Sequence, residues 1–224
     1  MAQKEIRPPE PAHADKIYQL KISIKYTEPL VWRSVQVPTW ASLADLHNVI
    51  QFTFDWIDDH MHEFEVKGAA YKDVADALDQ YGEDYVALGW AAWAVRSKIN
   101  YVYDFGDSWK HEIVVQKILP VAPHTKYPVC VGGERAAPPD DCGGAWRFAS
   151  YVAQLRLPKS KRDEELLEEM EYIMGEDFDP DAFDADKVNA KLQHLSLSGT
   201  SAEPRRDPDD FGHVQFFSVN LPVD

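Results

Sequence analysis

Three histidines carry the first chemical suggestion in this chain. His60 and His62 form a His-x-His pair in a run that alternates like a strand, and His111 follows Trp109 in another such run. On a strand, side chains two residues apart share a face at a spacing of about 7 Å. A third imidazole from a neighbouring strand would complete a zinc site of His60, His62 and His111 with one open position. Asp104 and Asp107, in the turn before His111, would orient the rings from behind. The competing reading is a buried polar network whose members satisfy one another. Arg33 belongs to that reading. It shares strand parity with Val31, Val35 and Val37, and a charge on an apolar face needs a partner. His47 lies four residues after Leu43, beside a helical apolar stripe. The candidate polar cluster is therefore Arg33, His47, His60, His62, Asp104, Asp107, Trp109, His111 and Asp141.

Other reactive groups are weaker. Cys130 and Cys142 match no standard zinc spacing and read as structural thiols. A Cys142 nucleophile activated by His111 has no local signature behind it. Asp140 and Asp141, with Asp104 and Asp107, offer oxygens for a hard cation. The simpler role is turn chemistry, with Asp141 capping the helix that follows. Ser108 is the serine of the central motif, but few arginines accompany it, so a serine-recombinase centre is disfavoured.

The elements that must hold these groups follow from periodicity. Residues 18–25 alternate as a half-buried strand, and residues 31–37 form a second, ended by Pro38. Ser42-Leu43-Ala44-Asp45 reads as a capping box opening a helix through Leu46, Val49, Ile50 and Phe54. Residues 60–66 read as a third strand. Residues 99–105 and 109–119 form a hairpin around Gly106-Asp107-Ser108. Residues 73–80 are a short helix or loop, and residues 90–95 are helical. The Pro- and Gly-rich stretch 120–144 is a long connection. Helices follow at 145–155, 161–174 and 182–192, the second with an acidic outer face that solvent or a basic partner would meet. Residues 214–219 are a terminal strand or docking segment.

Bulk properties narrow the classes. The chain has 224 residues, 45% hydrophobic and 12% aromatic, enough for a packed core. Its formal charge of −15 makes nucleic acid an unlikely partner for its general surface. Two cysteines make no disulfide scaffold. No apolar run reaches the roughly 18 residues of a membrane span, and residues 1–15 lack a signal core. The expected compartment is the cytoplasm, with no membrane partner.

Several motifs together carry a resemblance. These are Trp32-Arg33, Leu43-Ala44-Asp45-Leu46-His47, and Trp56 with His60-Met61-His62-Glu63-Phe64. Tyr103-Asp104-Phe105-Gly106-Asp107-Ser108-Trp109-Lys110-His111 follows, then Pro138-Pro139-Asp140-Asp141-Cys142-Gly143-Gly144 and Phe178-Asp179-Pro180. In this order they resemble the plasmid pRiA4b ORF-3-like family, some of whose members are labelled transposon-passenger, TnpR-like or resolvase proteins. The resemblance implies an α+β fold with an antiparallel sheet. The family often has a cysteine where this chain has Ala137, which weakens a three-cysteine metal knuckle here.

The expected organisation is a disordered leader (1–15), one α+β domain (16–192) and a loose or docking tail (193–224). An antiparallel sheet of about five strands would pack against the N-terminal helix and a C-terminal helical group. The leading functional expectation is a non-catalytic module, linked to mobile elements, that binds an unidentified protein partner and needs no cofactor. The alternative is a metal-dependent hydrolase or nuclease, with zinc on His60, His62 and His111. A DNA-binding, resolvase-like protein is the third reading. An open pocket at the polar cluster would favour an enzyme, and a closed network would favour a structural role.

Overall fold

The structure, a computed structural model, describes residues 15–73, 81–139, 141–175 and 177–200. Its centre is one open sheet. Strands β1 (Lys16–Ile24) and β2 (Val31–Pro38) pair antiparallel, with Ile22 opposite Arg33. Alternation decides their faces. Tyr18, Leu20, Ile22 and Ile24 are buried, as are Val31, Arg33, Val35 and Val37.

Helix α1 (Leu43–Phe54) starts at the predicted capping box: Ser42 accepts from Asp45 N, and the Asp45 carboxylate accepts from Ser42 N. Its apolar stripe of Leu43, Leu46, Val49, Ile50 and Phe54 is fully buried. The Asp45 carboxylate also accepts from Ser198 N and Gly199 N, which ties the chain after the last helix to this cap.

Strands β3 (His62–Val66), β4 (Ala69–Lys72) and β5 (Tyr81–Gly82) come next, then the four-residue helix α2 (Leu88–Ala91). Strands β6 (Lys98–Tyr103) and β7 (Trp109–Pro120) are the two arms of the predicted hairpin. Strand β8 (Val129–Glu134) completes the sheet. Helices α3 (Gly144–Leu155), α4 (Glu164–Met174) and α5 (Ala185–Leu192) follow, with Asp163 and Asp184 capping the last two.

The described sheet has eight strands in the order β5-β4-β3-β6-β7-β1-β2-β8, with only the β4–β5 pair parallel. The five expected strands are all present, so the α+β class holds, but the count is corrected. The missing three are short or irregular. Ala69–Lys72 lacks apolar alternation, Tyr81–Gly82 is a minimal pairing, and Val129–Glu134 holds two glycines inside a stretch read as loop. At the β8 edge the Asn189 side chain bonds both the N–H (2.7 Å) and the carbonyl (2.9 Å) of Cys130.

The expected helix at 90–95 is instead α2, four residues and slightly earlier. The expected element at 73–80 and the segment 214–219 fall almost entirely outside the described residues. Among those residues, no helix is long and apolar enough to cross a membrane.

Candidate functional site

The predicted three-histidine group does not assemble. Strand β3 begins at His62, so His60 lies before it and the two imidazoles do not share a pleated face. His62 turns to Glu83, His60 to Asp59 and Asp141, and His111 to the core.

His111 packs against Phe54, Trp56 and Tyr101 and is 1% exposed. Its Nδ1–H donates to the Trp109 carbonyl (2.9 Å), which leaves Nε2 as a buried lone pair with no hydrogen-bond partner among the described residues. Burial drives its pKa down to about 3, opposed by the Trp109 and Tyr101 backbone carbonyls. His111 is a neutral core group. Trp109 is likewise core, tilted against Trp56.

Arg33 meets neither Asp104 nor Asp107. Its guanidinium donates to the carbonyls of Trp32 (2.8 Å) and Glu134 (2.9 Å) and lies over the rings of Phe183 (4.6 Å) and Phe54 (5.3 Å). Burial lowers its pKa to about 10, with the nearby Cys130 acting the other way, so it stays charged at neutral pH.

What does converge is a different set. His47, from α1, and His62, from β3, stack face to face with ring centres 3.6 Å apart and planes within 9°. His47 Nε2 is 2.7 Å from Asp58 Oδ1, and its Nδ1 is 2.8 Å from the Tyr101 hydroxyl. His62 Nε2 lies 3.0 and 2.9 Å from the two oxygens of Glu83. One ligand atom each from His47, Asp58 and His62 lie within 4.8 Å of one another. These groups open into a concave site of about 360 Å³, lined also by Asn48, Asp59, His60, Met61 and Asp73. No lysine or arginine is among its described lining residues.

Charge explains why the set is unusual. Glu83 is 3% exposed, and a buried carboxylate needs compensating positive charge. Among the described residues its partner is an imidazole, not a lysine or arginine. Burial pushes the Asp58 carboxyl up, but its hydrogen bond to His47 and the charges of His47 and His62 outweigh this and hold it below the usual carboxylate range.

A second grouping joins His60, Asp104 and Asp141, again with ligand atoms within 4.8 Å. His60 Nε2 lies 3.3 Å from Asp59 and 3.2 Å from Asp141. The turn and the loop that bring these together are clasped by Asp107, whose carboxylate accepts from Gly143 N (2.8 Å) and Gly144 N (2.9 Å). Asp107 therefore caps helix α3 from a distance, the role expected of Asp141. A side chain at Gly144 would place its Cβ 2.5 Å from the Asp107 carbonyl oxygen, so only glycine allows the approach. Trp56 Nε1 adds a bond to the Pro138 carbonyl (2.9 Å). Cys130 and Cys142 are both buried and neither is in a disulfide, and burial raises the Cys130 thiol pKa.

Of the nine candidates, the structure gathers His47 with His62, and His60 with Asp104 and Asp141. It assigns Arg33, Trp109 and His111 to the core and Asp107 to the clasp. Sequence reasoning missed Asp58, Glu83 and Tyr101. Asp58 follows Trp56 in a turn-like run, and Glu83 follows a stretch with no periodicity. Only the parity of Tyr101, facing the core from β6, was visible.

The comparisons agree with this architecture. The chain is 30% identical over 188 residues to the uncharacterized protein y4hQ of Sinorhizobium fredii, covering 80% of this chain and 92% of that one. It is similar to the crystal structure of protein of unknown function MM3350 from Methanosarcina mazei Go1, with a TM-score of 0.69 and 37% identity. That match covers 77% of this chain and 97% of the other. Residues 16–187, which hold all nine candidates and the three residues missed, match one family in full order, and the chain belongs to the plasmid pRiA4b ORF-3-like proteins.

Proposed function

We propose that this chain is a metal-dependent protein of the hydrolase class. Its divalent cation is held by His47 and His62 with carboxylate oxygens from Asp58 and Glu83. One observation carries the reading: His47, Asp58, His62 and Glu83 line one open site with no lysine or arginine among its described lining residues, and ligand atoms of the first three lie within 4.8 Å of one another. Two nitrogens and carboxylate oxygens suit zinc, which tolerates a mixed N/O set. A cation there neutralises Glu83 without placing two imidazolium rings 3.6 Å apart. When bound, such an ion lowers the pKa of a coordinated water toward neutrality.

Elemental analysis of protein purified without a histidine tag tests this. About one zinc or similar ion per chain is expected, and His62→Ala should lose it. Metal-free wild-type protein whose stability does not change on adding zinc overturns the reading.

The interaction-module reading keeps one observation of its own. Trp146, 73% exposed, stacks on Tyr26 with ring centres 5.6 Å apart, a flat aromatic surface of the kind that protein partners cover. The association with mobile elements rests on the family's labels alone.

A further inference from the structure

Behind His47 lies a hydrogen-bonded chain that the pocket itself does not require. The Tyr101 hydroxyl sits 2.8 Å from His47 Nδ1 and accepts from Gln51 Nε2 at 3.3 Å. Tyr101 is completely buried on β6. It is therefore a neutral phenol with a single proton. While the Gln51 amide donates to its oxygen, that proton points to His47 Nδ1. With one ring proton, His47 then carries it on Nε2 and donates it to Asp58 Oδ1 at 2.7 Å. This tautomer has no free lone pair on Nε2, the nitrogen that would meet a cation beside Asp58.

The other end of the amide supplies the way out. Gln51 is 2% exposed, yet its Oε1 is buried without a hydrogen-bond partner among the described residues. Among the described residues, the bond to Tyr101 is the one hydrogen bond that orients the amide, and its far end has none. A half-turn presents Oε1 to Tyr101. The phenol then donates to Gln51, its oxygen accepts from His47 Nδ1–H, and the Nε2 lone pair is released. The proton count balances, because His47 gives the Nε2 proton to solvent and takes one from solvent at Nδ1.

We infer that Gln51 and Tyr101 are positioning residues that set the His47 tautomer, one amide orientation holding the metal-free state and the other the metal-ligating state. The inference rests on the pocket being a metal site. A purely structural Gln51–Tyr101 pair would leave the tautomer of His47 unchanged when the metal binds.

Nitrogen-15 NMR of histidine-labelled full-length protein reads the tautomer directly, with the His47 signals assigned by their loss in His47→Gln. His47 should be protonated at Nε2 without metal and at Nδ1 with saturating zinc. Tyr101→Phe and Gln51→Leu should each weaken zinc binding about 10-fold, the usual effect of losing a group that supports a ligand. Because the two act in series, the double variant should lose little more than either single one. A metal-free His47 already protonated at Nδ1, or additive losses in the double variant, overturns the inference. If wild-type protein binds no zinc, the pocket reading fails by itself, while the metal-free spectrum still decides whether the relay sets the tautomer.

Discussion

His111 shows how burial converts a titratable residue into a stability element. Its native pKa of about 3 lies below the value of 6.5 in the unfolded chain. Between those values only the unfolded state binds the proton, so stability rises with pH from about 3 to 6.5 and the His111 contribution is level above that. The full span is worth on the order of 5 kcal/mol. Urea unfolding at pH 4 and pH 7 should show a difference that shrinks by several kcal/mol in His111→Phe, whose ring suits the aromatic surroundings. An unchanged difference would place the acid-sensitive proton elsewhere. The same burial explains why a histidine in the most conspicuous motif is no ligand: its one bonded nitrogen serves a carbonyl, and its ring packs among Phe54, Trp56 and Tyr101.

Among elements, the join between the β6–β7 turn and helix α3 is the one that most affects the second histidine grouping. The N–H groups of Gly143, the N-cap residue, and Gly144, the first residue of α3, lean on the Asp107 carboxylate, and no side chain of the N-cap supports them. Asp107→Ala should cost about 1–2 kcal/mol, the usual value of a lost helix cap, read as a shifted urea midpoint with unchanged slope. Asp107→Asn, which keeps an acceptor oxygen, should cost less. Local rules exposed the capping box at Ser42, the apolar stripe of α1, the five alternating strands and the hairpin, because each is written in nearest-neighbour periodicity. They did not expose Asp107 as a cap or Glu83 as the partner of His62, because those bonds join residues 36 and 21 positions apart. The His-x-His pattern misled for a related reason. Period-two alternation holds only inside a strand, and β3 starts two residues too late to include His60.

At the scale of the whole molecule, charge and binding act together. With a net charge of −15, the chain should not retard duplex DNA even at about 50 mM salt, where phosphate contacts are strongest. A retarded band that fades steeply with added salt would revive the resolvase-like reading. Metal binding should register globally as well. Zinc at about 100 times its dissociation constant should add about 2.7 kcal/mol of stability, raising Tm by roughly 5–10 °C for a chain of this size. His62→Ala should abolish the shift, whereas a variant at the exposed Trp146 should keep it.

The Asn189 bridge has a bearing on solubility. A sheet as wide as this one ends in backbone groups that another chain can extend, and β8 is such an end. Asn189 occupies the donor and the acceptor of Cys130, the second residue of that edge, so its amide stands where the next strand would pair. Asn189→Ala should therefore leave the isolated molecule folded while making it self-associate, seen as light scattering that grows with protein concentration and mild heating. One helical side chain, far from either histidine grouping, thus limits how readily copies of the protein can zip together along their open strands.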